Sequence, residues 1–197
     1  MPDMTISYYN QNASDFVSSS LLGDLSPQYE IFMQYLKPDA RILDLGCGSG
    51  RDSKYFIERG YAVEAADGSP ELCRIAGEYL GKPVKNLMFQ DMDYTESFDA
   101  VWACSSLLHV PPDELPGILS KVGKALKPNG IFYMSFKYGS FSGERYGRWF
   151  TDLNEQTADD IVGQAACLTI LRKFITNDSR PGRGDEKWLN IFMQKIN

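Results

Sequence analysis

A short apolar run that leads into three closely spaced glycines is the feature that most limits how this 197-residue chain can fold. The run Arg41–Leu45 is followed at once by Gly46, Gly48 and Gly50. An apolar run that ends at glycines predicts a buried strand. The next residues, Ser49 to Asp52, have the S-x-x-D pattern that opens helices. The segment therefore predicts a strand, a tight turn and a helix in direct succession.

The same alternation of strand and helix continues along the chain. Further strands are predicted at 61–66, 84–89, 98–104 and 131–136, with helices after Pro70 and over 112–126. A closing pair of strands is predicted at 168–175 and 188–193. Strands separated by helices imply a mostly parallel sheet covered on both faces. We expect a doubly wound α/β fold with seven strands, the last hairpin adding one antiparallel strand.

The chain is expected to form one domain over 1–197, because no internal repeat, low-complexity tract or linker interrupts it. Two helical patterns, at 8–18 and 27–36, precede the first strand. We expect residues 1–38 to form a helical lid over the site and 39–197 to form the α/β core.

Composition excludes several kinds of partner and site. A net charge of −6 disfavours nucleic acid and anionic membranes as partners. Four scattered cysteines and a single histidine leave no Cys/His zinc pattern, so no metal is expected. The sequence has no leader pattern and no apolar run near the roughly 18 residues that cross a bilayer. We therefore expect a cytoplasmic protein.

The glycine segment predicts a ligand site. Glycines let a ligand lie directly on the backbone at the carboxyl edge of an open α/β sheet, and Asp67 follows at the distance of a ribose-binding acid. The spacing is G-x-G-x-G rather than the G-x-G-x-x-G of dinucleotide sites. Asp52 should repel a pyrophosphate at the helix N-terminus. A nucleoside without phosphates is the predicted ligand; the alternative is a turn that needs glycine only for tightness.

The sequence resembles the class I S-adenosylmethionine-dependent methyltransferases in the glycine segment and in further segments over nearly the whole chain. The matching segments are ILDLGCGSG (42–50), ADGSP (66–70), QDM (90–92), FDAV (98–101), LLHV (107–110) and LKPNG (126–130). The YYN at 8–10 and the FKYG at 136–139 are most similar to small bacterial methyltransferases of the tellurite-resistance type.

The resemblance implies S-adenosylmethionine as cofactor and a role for each matching residue. Asp44 would orient the ammonium of the cofactor, and Asp67 would bind its ribose. Asp91 would contact the adenine amino group, while Met92 would donate its backbone amide and pack on the ring. The remaining implied cofactor residues are Tyr8, Tyr9, Gly46, Cys47, Gly48, Gly50, Gly68, Cys104 and Ser105. Asp91 and the tyrosines also have structural alternatives, as a turn cap and as packing residues.

His109 is the candidate catalytic base, because it follows the fourth strand and has an ordinary pKa near neutrality. Methyl transfer from a sulfonium needs mainly proximity and alignment, so a base is required only for a protonated acceptor. The alternative is that His109 only caps the next helix beside the pocket.

The acceptor is expected to be a small molecule with an anionic group, since arginines cluster in the loops after the fifth and sixth predicted strands. The candidate acceptor residues are Tyr138, Arg145, Arg148, Arg180 and Arg183. The alternative is that Asp178, Asp185 and Glu186 pair with these arginines in a solvated hairpin.

Two other functions share this fold. An NAD-dependent oxidoreductase would need a phosphate-binding glycine loop that the sequence lacks. A non-catalytic cofactor-binding module would not need the long loop rich in arginine and aromatic residues after the fifth strand. The sequence leaves the acceptor and the oligomeric state open.

Overall fold

The computed structural model describes residues 3–196, so the outermost positions of the predicted domain, 1–2 and 197, lie outside the described residues. The helices are α1 (Asp3–Gln11), α2 (Ala13–Ser20), α3 (Ser26–Gln34), α4 (Arg51–Ile57), α5 (Pro70–Leu80), α6 (Leu115–Ala125) and α7 (Glu155–Ala165). The strands are β1 (Arg41–Leu45), β2 (Ala62–Asp67), β3 (Lys85–Asn86), β4 (Phe98–Ala103), β5 (Leu126–Lys137), β6 (Ser142–Arg145), β7 (Arg148–Thr151), β8 (Leu168–Asn177) and β9 (Lys187–Lys195).

Seven of these strands form one sheet in the order β3-β2-β1-β4-β5-β9-β8. The first five are parallel, while β9 runs antiparallel to both of its neighbours, β5 and β8. The strand order reverses between β1 and β4, and ligands bind in such folds at the carboxyl ends of the strands around that point. The predicted doubly wound sheet with one antiparallel strand is confirmed.

Each face of the sheet is covered by helices because buried side chains alternate along the strands. On β4, Val101 belongs to the core on the α6 and α7 side, and Trp102 belongs to the aromatic core beneath α3 and α4. Trp102 stacks on Tyr133 with ring centroids 4.0 Å apart. These packed faces hold the strand ends that carry the site.

Three elements differ from the sequence predictions. The strand predicted at 84–89 is reduced to Lys85–Asn86, and a 3-10 turn takes up Phe89–Asp91. The first predicted helix is two helices that meet at Asn12. The stretch 137–152 contains the hairpin β6–β7, whose two-residue turn has positive φ at both positions, 55° at Tyr146 and 72° at Gly147. Tyr-Gly is a weaker signal for this turn than Asn-Gly, so the sequence did not predict it.

Over residues 3–196, none of the helices combines the length and the apolar character needed to cross a membrane.

Candidate active site

The glycine loop joins β1 to α4 in a conformation that requires glycine. Gly46, Gly48 and Gly50 have φ values of 82°, 55° and 79°, a region that other residues rarely adopt. A Cβ added at Gly46 would lie 2.4 Å from the Ser106 Cβ. The Gly46 amide donates to the Ala66 carbonyl at 2.8 Å, which ties the loop to the end of β2. The loop is therefore fixed with bare backbone facing the strand ends.

Asp67, at the end of β2, is bound to this loop. Its carboxylate accepts the Gly48 amide at 2.9 Å and the Ser69 amide at 2.8 Å. Burial raises the pKa of Asp67, and the amide hydrogen bonds oppose that rise. Asp67 also lines a small cavity beside the loop, and its contact with a ribose stays a prediction.

Two connected cavities adjoin the loop. The smaller, about 40 Å³, is lined by Asp67 and Gly68 together with the apolar residues Ile6, Leu72 and Phe89. The larger, about 330 Å³, extends across the carboxyl ends of β1, β4 and β5 and the amino end of β9 to the β8–β9 hairpin. Residues that line both cavities are Tyr9, Phe16, Gly46, Gly48, Ser105 and His109. The two cavities therefore adjoin each other along the glycine loop.

Helices α1 and α2 cover the smaller cavity. A Cβ added at Gly48 would lie 3.0 Å from Phe16, and one added at Gly68 would lie 2.9 Å from Ile6. These side chains rest on the glycine backbone that the sequence assigns to the cofactor. Tyr9 lines both cavities, whereas Tyr8 lines neither. The centre of the Tyr8 ring lies 4.4 Å from the guanidinium carbon of Arg148.

Asp52 does not present a free charge at the start of α4. Its carboxylate accepts hydrogen bonds from Tyr29 at 2.6 Å and from Trp102 at 2.7 Å, and it pairs with Arg51 at 2.6 Å. The sequence analysis assumed that Asp52 carries an uncompensated negative charge that would repel a pyrophosphate. This assumption is wrong, because Arg51 neutralises the carboxylate. The exclusion of dinucleotides then depends on the glycine spacing alone.

Asp44 lies beneath the loop and lines neither cavity. It is 2 % exposed and accepts a hydrogen bond from Ser53 at 2.6 Å. Burial, reinforced by the charge of Asp52, raises the pKa of this carboxyl. Its predicted contact with an ammonium stays a prediction.

The predicted adenine contacts lie away from the two cavities. Asp91 is exposed at the end of its 3-10 turn. Met92 is 1 % exposed within the core on the α6 side, and its amide donates to the Phe89 carbonyl at 3.4 Å. The side chain is part of the hydrophobic core, and its packing on the adenine ring stays a prediction. Phe89 and Leu72 are the apolar side chains at the smaller cavity instead.

His109 is held by hydrogen bonds on both ring nitrogens. Nδ1 donates to the Trp149 carbonyl at 2.6 Å, so Nε2 accepts the Tyr9 hydroxyl at 2.8 Å. Burial lowers the pKa of His109 to about 4, because the imidazolium would be desolvated. The ring is thus neutral at pH 7 and a weak base. This arrangement disfavours the predicted role of general base and assigns His109 to orienting Tyr9.

Arg148 is the cation at the larger cavity that pairs with no carboxylate of the described residues. Its Nη1 donates to the Tyr9 hydroxyl at 3.3 Å, and its guanidinium carbon lies 5.0 Å from the Phe150 ring centre. Its buried Nε has no hydrogen-bond partner among the described residues. An unpaired guanidinium in a cavity wall is suited to an anionic ligand.

The other predicted acceptor residues already have protein partners. Arg180 pairs with Asp178 at 2.5 Å and Arg183 with Glu186 at 2.6 Å, although both arginines line the larger cavity. The alternative of pairing within the hairpin is therefore what the structure shows for these two. Glu186 also pairs with Lys137, so one carboxylate serves two cations.

Arg145 and Tyr138 are outside both cavities. Arg145 forms two hydrogen bonds, at 3.1 and 2.6 Å, with the carboxylate of the buried Asp152, and the Tyr138 hydroxyl donates to Glu155 at 3.1 Å. The structure therefore does not bring them into the cavities, and their contact with an acceptor stays a prediction. Arg145 instead fixes the β6–β7 hairpin to the chain that follows it.

The floor of the larger cavity consists of Cys104, Ser105, Ser135 and Asn190. Ser105 has a positive φ of 52°, and its amide donates to the Ser135 hydroxyl at 2.9 Å. The sequence analysis did not select Ser135, Asn190, Phe16 or Gln28, which also line this cavity. None of them stands in a recognisable motif, so no signal in the sequence could have found them.

Comparison with known proteins agrees with this geometry. Residues 42–130 match the family described as "Methyltransferase domain". A ubiquinone biosynthesis O-methyltransferase of Xanthomonas campestris is 35% identical over 108 residues, which cover 50% of this chain and 43% of that protein. The match thus spans less than half of that relative's length.

Among solved structures, a Burkholderia thailandensis 1,6-didemethyltoxoflavin-N1-methyltransferase, crystallised with 1,6-didemethyltoxoflavin and S-adenosylhomocysteine, superposes with a TM-score of 0.76 and 24% identity. The alignment covers 98% of this chain and 85% of that one. A TehB-like methyltransferase of Corynebacterium glutamicum aligns over 97% of this chain and 98% of that one, with a TM-score of 0.67 and 18% identity.

Residues 42–130 carry the matched methyltransferase domain, and the fold is shared with solved methyltransferases, which agrees with the resemblance to the class I S-adenosylmethionine-dependent methyltransferases seen in the sequence. The TehB-like structure shares the fold, and the finer resemblance to the tellurite-resistance type stays a prediction.

Proposed function

We propose that the protein transfers a methyl group from S-adenosylmethionine to a small-molecule acceptor that is anionic where it binds. One observation carries this proposal: the small cavity at Asp67 adjoins a larger cavity whose wall holds Arg148, a cation without a carboxylate partner among the described residues. A cofactor site and an acceptor site are thereby adjacent.

The residues at the smaller cavity fit the cofactor. Asp67 would accept the ribose hydroxyls, and the bare glycine backbone would admit the thioether chain. Ile6, Leu72 and Phe89 would cover the adenine with apolar surface. A cavity of about 40 Å³ is too small for an adenosyl group, so Ile6 and Phe16 must withdraw with their helices as the cofactor enters.

When bound, the cofactor supplies a methyl carbon on a sulfonium that is already activated for in-line displacement. The protein then has to hold the acceptor in line and exclude water. The aromatic face of Tyr9 is suited to a sulfonium cation at the junction of the two cavities. The Tyr9 position is fixed by His109 on one side and Arg148 on the other.

An anionic acceptor agrees with the weak basicity of His109. A group whose pKa is lowered to about 4 cannot efficiently deprotonate a neutral alcohol or amine near pH 7. An acceptor that already carries negative charge needs no base, and Arg148 would orient it by charge-assisted hydrogen bonds. Carboxylates, acidic phenols and acidic N-heterocycles have this chemistry.

The similar proteins support a small-molecule acceptor. Their names describe methylation linked to ubiquinone biosynthesis in one case and to 1,6-didemethyltoxoflavin in another, both small molecules. We further propose that the reaction takes place in the cytoplasm. All four cysteines are free thiols in the structure, which suits a reducing compartment.

Calorimetric titration with S-adenosylhomocysteine and with NADH tests the cofactor. We expect saturable binding of S-adenosylhomocysteine and none of NADH. Binding of NADH alone would favour an oxidoreductase instead.

An acceptor screen tests the reaction. Production of S-adenosylhomocysteine from S-adenosylmethionine is followed with carboxylates, acidic phenols and acidic N-heterocycles, each beside a neutral analogue that keeps an unmethylated nucleophile, such as the matching primary alcohol or a non-acidic N-heterocycle. We expect turnover with an anionic member and not with its neutral counterpart. Cofactor binding without turnover on any acceptor would point to the non-catalytic binding module.

A further inference from the structure

The amide of Gln28 is a buried polar group without a partner. Gln28 is 5 % exposed, and its Oε1 accepts no hydrogen bond from the described residues. Only two other buried side-chain atoms of residues 3–196 share this condition, Arg148 Nε and Gln90 Oε1. The Gln90 amide still donates to Glu114 through Nε2, whereas the Gln28 amide has no hydrogen bond within the described chain. A buried amide of this kind is costly to leave unpaired.

Gln28 lines the larger cavity from the first turn of α3. Arg51 lines the same cavity from the start of α4. Arg51 donates through Nε to Asp52 at 2.6 Å and through Nη1 to the Ser20 carbonyl at 2.8 Å, which leaves Nη2 without a partner in the described part of the chain. An amide and a free guanidinium nitrogen therefore line the cavity on the side where the glycine loop enters α4.

Gln28 and Arg51 lie beside the part of the glycine loop that borders both cavities, where the proposed cofactor would pass from one cavity to the other. With its ribose at Asp67, the cofactor must extend past Gly46 and Gly48 to reach the larger cavity. The helix that begins after this loop carries Arg51. The part of S-adenosylmethionine beyond its sulfonium is an amino acid with one carboxylate and one ammonium. A side-chain amide offers an acceptor and a donor, and so can pair with either group.

We propose that Gln28 is a binding residue for the amino-acid end of S-adenosylmethionine, with Arg51 beside it as the cation for the carboxylate. The inference rests on the proposed function, because it takes S-adenosylmethionine as the ligand. It explains why an amide without protein partners lies in this wall, since the ligand supplies them. It also adds a contact from α3 to a site that the sequence places mainly on the sheet.

The test compares two ligands that differ only at this end. S-adenosylhomocysteine and 5′-methylthioadenosine share the adenosine and the thioether sulfur, but the second lacks the amino-acid group. Both are titrated calorimetrically into the wild type and Gln28→Leu, which removes the amide and keeps a side chain of similar size. Gln34→Leu is the matched control, because Gln34 is exposed on the same helix.

We expect Gln28→Leu to weaken the binding of S-adenosylhomocysteine at least about tenfold. The affinity for 5′-methylthioadenosine should stay within about twofold of the wild-type value. Gln34→Leu should change neither affinity. The melting temperature of ligand-free Gln28→Leu should be equal to or above that of the wild type, because an unpaired buried amide has been replaced by an apolar group.

Three outcomes contradict the inference, and they can be distinguished. Unchanged S-adenosylhomocysteine affinity in a folded Gln28→Leu removes Gln28 from the site. Equal losses for both ligands show that the substitution distorts the site rather than deleting a contact to the amino-acid end. Absence of S-adenosylhomocysteine binding to the wild type overturns the proposed function itself, and with it this inference.

Discussion

Replacement of His109 by glutamine should make the protein less sensitive to acid. The folded-state pKa of His109 is about 4, against an ordinary value of 6.5, because the ring is buried. Between these values the unfolded chain binds more protons than the folded one, so stability falls as the pH drops through this window. From pH 7 to pH 5 this linkage removes about 2 kcal/mol of the free energy of unfolding.

Urea denaturation at pH 7 and pH 5 measures the effect. We compare the wild type with His109→Gln, whose amide can keep both hydrogen bonds, to Tyr9 and to the Trp149 carbonyl. His109 is the only histidine, so no other imidazole contributes. The carboxylates with raised pKa values, such as Asp67, titrate in both proteins and cancel in the difference. Equal losses of stability in the two proteins on acidification would refute the reasoning from burial.

Three further predictions concern ligands. Asp67→Asn should weaken the binding of S-adenosylhomocysteine by roughly ten- to a hundredfold in calorimetry, because a charged hydrogen-bond acceptor is lost. Unchanged affinity would contradict the assignment of Asp67 to the ribose. Arg148→Gln should lower kcat/KM for an anionic acceptor at least about tenfold with little change in cofactor affinity, whereas the exposed-site control Arg172→Gln should be neutral. Phe16→Ala should speed cofactor association in stopped-flow measurements, because the ring resting on Gly48 is removed; an unchanged rate would show that opening of α2 is not limiting.

The sequence predicted the parts of the site that depend on local geometry. A turn that needs positive φ at Gly46, Gly48 and Gly50 is visible in the sequence because few residues other than glycine adopt it. Asp67 was predicted because it ends the next strand, whose partner is β1. The doubly wound sheet and its antiparallel last strand followed from the alternation of strands and helices and from the family resemblance.

Side-chain direction in the 137–152 stretch could not be predicted in the same way. Arg145 and Arg148 are opposite each other across the β6–β7 turn. Arg145 nevertheless pairs with Asp152, while Arg148 reaches the lid tyrosines. Without the hairpin, the two arginines are equivalent candidates in the sequence.

The residues that the sequence missed come to the site through contacts between distant segments. Phe16 reaches Gly48 because α2 packs over the glycine loop, and Gln28 reaches the larger cavity through the docking of α3. Packing of α3 is fixed by aromatic contacts such as Phe32 on Trp102, with centroids 4.9 Å apart. Such contacts have no periodicity or spacing of their own in the sequence.

The lid and the acceptor cation are physically connected, and this connection implies an order of binding. The Trp149 amide donates to the Thr5 hydroxyl at 3.0 Å, and Arg148 donates to Tyr9, so β7 is bonded to α1 at two successive residues. In the proposed mode of cofactor binding, α1 and α2 have to withdraw, because Ile6 and Phe16 lie against the glycine backbone that the cofactor would contact. Withdrawal breaks both bonds and removes Tyr9 from Arg148. We therefore infer that the acceptor wall is complete only after the lid has closed over the cofactor, so the acceptor binds second.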